Sequence, residues 1–309
     1  MTVQKPILVT GSHRSGSTWV GKTIAASPSV GYIHEPFRPF SPRPMRVCEA
    51  WFDHWFTYIS KQNETLCRRE IAKTIAFSYD VIGEIKKIES PRDAAYLMRN
   101  FSRTIFYRFA QVRPIIKDPI AVFSAEWLAE TFDMDVVVLI RHPAAFAGSL
   151  KRLHSTHPFA DFLAQPLLMR DHLYPFESEI KQFAETEHDV IDQAILLWKL
   201  IHHMICKYQQ NHPDWIFVRH EDLSRDPERG FGDIFKKLNL EFNGPVKARI
   251  RKYTNSANPS RAPEGKSAFK LNSRENIWNW KQKLTDAEIG RIRSRLDGVA
   301  SVFYSDKDW

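Results

Sequence analysis

Residues 7–19 read ILVTGSHRSGSTW: an apolar strand ending at Gly11, a small polar loop, then a helix beginning near Ser17 or Thr18. Such a loop turns successive backbone N–H groups inward at the positive end of a helix dipole, where phosphate binds. Gly11, four residues, then Gly16, Ser17 and Thr18 match the phosphate-binding loop pattern, with serine in place of the nucleoside-triphosphatase lysine. A second frame, Gly16 to Thr23, matches the triphosphatase pattern letter for letter. It starts five residues past the strand's end, however, and puts Lys22 inside the helix, on what reads as a solvated face. No apolar strand ends in the Asp that would organise Mg²⁺ for a kinase or ATPase. A second anion site is expected at Arg141, which closes the apolar run 136–140 and so faces the usual ligand crevice of an α/β sheet. Ser149, eight residues on and inside the next helix, can face the same crevice. Two anion sites on one sheet edge point to a nucleotide phosphorylated at two places.

These segments resemble the sulfotransferase superfamily that uses 3′-phosphoadenosine 5′-phosphosulfate (PAPS). Residues His13 to Trp19 resemble its phosphosulfate-binding loop, which implies cofactor contacts from Arg14, Ser15, Gly16, Ser17, Thr18 and Trp19. Arg141 and Ser149 resemble its 3′-phosphate site. FVRHEDL at 217–223, followed by Asp226 and Pro227, is similar to a strand-end signature near adenine, with His220 where tyrosine is usual. Trp278, Trp280, Lys281 and Leu284 are similar to a C-terminal pattern of family members, and Lys270 resembles a cofactor contact of the tyrosylprotein branch. The matches span residues 7–284 in the expected order. The resemblance implies an α/β fold with a P-loop-like central parallel sheet flanked by helices, PAPS released as PAP, no metal, and a hydroxyl acceptor.

Sulfuryl transfer moves an SO₃-like unit in line between two oxygens, so catalysis is mainly positioning and charge stabilisation. Arg14 stands where the cytosolic aryl and steroid branch has Lys and the tyrosylprotein and carbohydrate branches have Arg. A guanidinium is always charged, so its role is electrostatic. Lys117 aligns with the family's second catalytic cation. Two residues later, where the cytosolic branch has its catalytic histidine, stands Pro119. Glu35 matches the glutamate of the other branches and is the expected general base, its pKa raised by partial desolvation beside Phe37 and Phe40. His34 is the alternative base; on an alternating strand it points opposite to Glu35, so only one can face the cofactor.

The positioning elements follow from short apolar runs alternating with longer helical patterns, the mark of parallel α/β architecture. Strands are expected at 7–9, 30–33, 114–117, 136–140 and 215–218. Helices are expected at about 17–27, 46–60, 67–77, 92–110, 121–132, 143–154, 186–210, 228–238 and 285–297. In the second of these, Trp51, Phe52, Trp55 and Phe56 share one helical side, as core or as stacking surfaces for a sugar ring or a lipid-linked glycan. Residues 35–44 and 254–276 show no period and read as functional loops. One domain, 1–309, fits better than two.

The chain of 309 residues carries 44 Lys+Arg against 36 Asp+Glu, and its 43% apolar content excludes a disordered protein. The start is too short and polar for a signal peptide, and no apolar stretch spans a bilayer. Three cysteines (Cys48, Cys67, Cys206) form neither a disulfide framework nor metal-ligand spacing. A cytoplasmic protein is the expectation. No nucleic-acid recognition motif accompanies the basic excess. That excess is local: residues 245–283 hold ten Lys/Arg against Glu264 and Glu275, a sum of +8, equal to the whole chain's charge. The segment is therefore expected to act as a cationic lid over the nucleotide. A glutamate base tilts the acceptor toward a carbohydrate or glycolipid, with a tyrosine hydroxyl or a small alcohol as alternatives, and peripheral membrane contact is compatible with it.

Overall fold

A computed structural model describes residues 5–39, 48, 50–78, 85, 88–261 and 270–309. Five short runs rich in Ile, Val and Leu form the strands: β1 (Ile7–Gly11), β2 (Val30–His34), β3 (Arg113–Lys117), β4 (Asp135–Ile140) and β5 (Ile216–Arg219). They pair in parallel in the order β2-β3-β1-β4-β5. From β1 the chain passes to the edge strand β2, returns inward to β3 and then crosses to β4 and β5 on the other side of β1, which opens a ligand crevice at the carboxyl ends beside β1.

Both faces of the sheet are covered, as the continuous apolar runs require. Leu8, Ile116, Val136 and Val138 point into one core, with α4 (Ala125–Phe132), α5 (Pro143–Leu153), α6 (Val190–Asn211) and α10 (Asp286–Ala300). Ile7, Val9, Ile115, Val137 and Leu139 alternate with them into the other, against α1 (Ser17–Ile24), α8 (Pro227–Lys237) and α9 (Gly244–Thr254). Further helices are α2 (Arg68–Ile75), α3 (Pro91–Phe109) and α7 (His220–Arg225). Helix starts follow side-chain chemistry: Ser90 caps α3, Asp189 caps α6, and Thr285 with Glu288 forms a capping box on α10.

The helix expected at 46–60 does not form among the described residues; that stretch is irregular, with Phe56 at φ 57°. Its amides are taken by other side chains: Trp55 N–H donates to Asp161, Tyr58 N–H to Gln165, and Ile59 N–H to Ser124. Phe52 stacks on Phe37 and is buried with Phe56, whereas Trp51 is exposed. The four aromatics therefore share no helical side. Part of the basic stretch 245–283 is ordinary helix, since α9 covers Gly244–Thr254 and packs on α1.

Candidate functional site

Every strand delivers a residue to one cleft at the carboxyl edge of the sheet. The loop after β1 brings His13, Arg14 and Gly16; the end of β2 brings His34 and Glu35; Arg141 follows β4 and His220 follows β5. Lys117 ends β3 and lies just beneath, fully buried. The cleft measures about 980 Å³. Its described lining carries Arg14, Lys22, Arg38, Arg99, Arg103, Arg141, Arg152 and Lys283, against Glu35 as the one carboxylate. Such a cavity concentrates anions.

The β1–α1 loop is held in a shape that few residues tolerate. Arg14 has φ 63° and Gly16 φ 89°. A Cβ at Gly16 would stand 2.7 Å from Nδ1 of His220, so glycine is needed both for the left-handed turn and for the close approach. Gly16 caps α1 without a side-chain bond, and the helix ladder begins with Val20 N–H donating to Gly16 O at 3.0 Å. The first-turn amides of Ser17, Thr18 and Trp19 precede that ladder, at the positive end of the dipole. Ser15 lies buried within the loop, its Oγ without a hydrogen-bond partner among the described residues, as are Nδ1 of His220 and Nε of Arg141. Buried donors and acceptors of this kind suit a bound polar ligand.

The two sequence-derived anion sites meet. Arg14 Nε donates to Ser149 Oγ at 3.2 Å, and Arg141 donates to the carbonyl of Arg14. Burial, then the charges of Arg141 and Arg152, lower the Arg14 guanidinium to about 10, and Glu35 opposes them. Arg14 remains charged at neutral pH. Arg141 is itself fixed from behind: Trp198 Nε1 donates to its carbonyl at 2.9 Å. The buried Glu221 accepts from His142 N–H and from Tyr304 Oη at 2.9 Å, and lends Arg141 a countercharge. His220 meets Trp19 edge-on at 5.8 Å; burial, then Arg141, drop its imidazole to about 3, so it is neutral.

Lys117 Nζ donates to Oε1 of Glu35. Gly21 of α1 makes room for the lysine stem, since a Cβ there would lie 2.8 Å from Lys117 Cγ. Glu35 sits past the end of β2 at φ 43°, its amide donating to Lys117 O at 2.9 Å. This turn corrects the alternation argument: Glu35 and His34 both line the cleft, with His34 Nε2 3.9 Å from Glu35 Oε2. The expected rise in the Glu35 pKa is also corrected. Burial pushes the carboxyl up, but the charge and hydrogen bond of Lys117, with His34 and Arg38, hold it below its ordinary value. Burial and then Lys117 lower His34 to about 4. Asp118, buried behind this pair, accepts from Phe37 N–H at 2.7 Å and Ile120 N–H at 3.1 Å, and so ties the turn after Glu35 to the end of β3. Phe40 lies outside the described residues.

Of the residues singled out by sequence, Arg14, Gly16, Ser17, Thr18, Trp19, Glu35, Arg141, Ser149 and His220 line the cleft. Lys270 is exposed and is not among the lining residues, although Leu271, Ser273 and Asn276 are. Residues 262–269 of the expected lid lie outside the described residues. Lys22 lines the cleft rather than a solvated face, yet from the last turn of α1 and not from the loop. The sequence reading missed Arg152, three residues after Ser149 and so on the same side of α5, and Glu221, whose clue was its place directly after His220.

A family model described as "Sulfotransferase family" matches residues 6–244, and the chain belongs to that family. Sulfotransfer is the chemistry this membership carries. No curated protein sequence matches the chain. Among solved structures, a sulfotransferase domain from the curacin biosynthetic pathway is similar at 15% identity and TM-score 0.47, covering 96% of this chain and 99% of that one. A sulfotransferase domain from the Synechococcus olefin synthase shows 16% identity and TM-score 0.45, covering 99% and 98%. A mouse sulfotransferase solved with PAP shows 13% identity and TM-score 0.43, covering 99% and 87%.

Proposed function

We propose that this protein moves the sulfuryl group of PAPS onto a hydroxyl of a carbohydrate or glycolipid and releases PAP, with Glu35 as general base, within one domain. The observation that carries the reading is the junction of Arg14, Ser149 and Arg141 around the β1–α1 loop. It joins two cationic anchors to a helix N-terminus, as a nucleotide phosphorylated at two places requires. PAPS, when bound, supplies a sulfuryl group on a phosphate leaving group. Ser15 to Trp19 would cradle its 5′ end, Arg141 and Ser149 its 3′-phosphate, and His220 with Trp19 the base. Lys270 belongs to this proposal only through the lid, from outside the cleft lining.

Arg14 places positive charge in the cleft where negative charge develops, and Lys117 acts from beneath it through Glu35, so this reading calls for no metal. Glu35 Oε1 is engaged by Lys117, which leaves Oε2 to take the acceptor's proton. Because its pKa is lowered, Glu35 is ionised at neutral pH and able to accept a proton, at the expense of base strength. Cys67 and Cys206 are thiols, which suits a cytoplasmic setting.

Calorimetric titration with PAP, with ATP and Mg²⁺, and with an oligonucleotide tests the reading. Metal-independent PAP binding that disappears in Arg141→Ala is expected; preference for ATP and Mg²⁺ would restore the kinase reading built on Lys22, and salt-sensitive oligonucleotide binding a nucleic-acid module. Glu35→Gln is expected to lower turnover by about 10² to 10⁴ while PAP binding survives. Unchanged turnover removes Glu35 as base.

A further inference from the structure

Helix α3 carries its apolar side outward. Leu97 and Asn100 are buried, while Met98 is 70% exposed, Phe106 62% and Phe109 85%, with Phe101 and Ile105 more than a third exposed. At 100° per residue, Met98, Ile105 and Phe109 fall on one line, with Phe106 and Phe101 on either side of it. A water-facing helix normally shows the reverse arrangement, and contiguous apolar surface of this kind marks an interaction site. The apolar strip is flanked by arginines: Arg92, Arg99 and Arg103 along one border and Arg108 on the other, with Asp93 in the first turn as the helix's one acid. Arg99, Asn100 and Arg103 also line the cleft. The strip therefore lies beside the entrance to the site.

We propose that α3 is an interfacial helix that docks the protein on an anionic lipid surface. An apolar face set between arginine borders matches the interior edge and the headgroups of such a surface together. A second copy of the chain matches it poorly, because a two-fold pairing would set arginine borders against each other. Docking in this orientation brings the cleft mouth to headgroup level, so an acceptor hydroxyl would be presented on a lipid. That consequence rests on the sulfotransfer reading; the docking itself does not.

Co-sedimentation of the full chain with vesicles tests it, and does not depend on turnover. Vesicles of phosphatidylcholine with roughly one-third phosphatidylglycerol should pellet the protein, phosphatidylcholine alone much less, and added salt should weaken binding. The double variant Phe106→Ser, Phe109→Ser should bind about tenfold more weakly or worse at an unchanged unfolding temperature, since both rings are exposed. Arg108→Gln should cost about fivefold on the anionic vesicles alone. The proposal is overturned if the wild-type chain stays in the supernatant with both compositions, or if these variants pellet as the wild type does. It is equally overturned if sedimentation velocity shows a dimer that the phenylalanine variant abolishes, without vesicle binding.

Discussion

Glu35 and Lys117 show how one contact decides the electrostatics of a site. A carboxylate at a cleft mouth, read in isolation, has its pKa raised by desolvation; bonded to a buried ammonium, it is lowered. A group whose folded pKa is lowered contributes stability that is present above its unfolded value and is lost as pH falls through the folded one. The same sign governs the proposed base. The acid limb that Glu35 gives the kcat/KM profile should therefore lie below the ordinary glutamate value. Burial raises Asp118, behind the pair, to about 7, so a limb near pH 6 that persists in Asp118→Asn would mean that a group other than Glu35 carries the proton. Glu35 and Lys117 could each be singled out by the family resemblance, but their pairing could not, because they stand at the ends of different strands.

At the scale of elements, the β1–α1 junction was legible because local chemistry determines it. An apolar run, two glycines and a Ser-Thr helix start specify strand, turn and helix within about a dozen residues. Both glycines of this junction resist a side chain, Gly11 against the backbone of Leu139 and Gly16 against the His220 ring. In Gly16→Ala the added methyl would meet His220 while the backbone holds φ 89°. A loss of roughly 1–2 kcal/mol in folding stability is expected from the left-handed turn alone, with PAP affinity falling alongside it. Thermal unfolding and calorimetry on the same variant check both. The stretch at 46–60 misled for the opposite reason. Its aromatic spacing satisfies a helical period, yet its amides are claimed by Asp161, Gln165 and Ser124, which lie 65 to 107 residues away in sequence.

The molecule as a whole joins its five strand ends through the cleft, so a ligand bound there should tighten the fold as a unit. With PAP at about one hundred times its Kd, linkage gives about 2.7 kcal/mol. That corresponds to a rise in Tm of roughly 5 °C for a chain of this size. Differential scanning calorimetry should show the shift in the wild type and its loss in Arg141→Ala; an equal shift in both would place the ligand elsewhere. The sequence by itself determined the five strands, the class of fold, the candidate loop and Arg141 that line the cleft, and the family resemblance, because each is written in a run of neighbouring residues. Only the tertiary structure decided that Arg14 reaches Ser149, that Lys117 lowers Glu35, that His34 shares the cleft, and that Lys270 stands outside its lining. Those facts depend on which strand ends lie side by side and on how the turns after them are bent. Order along the chain does not encode either directly.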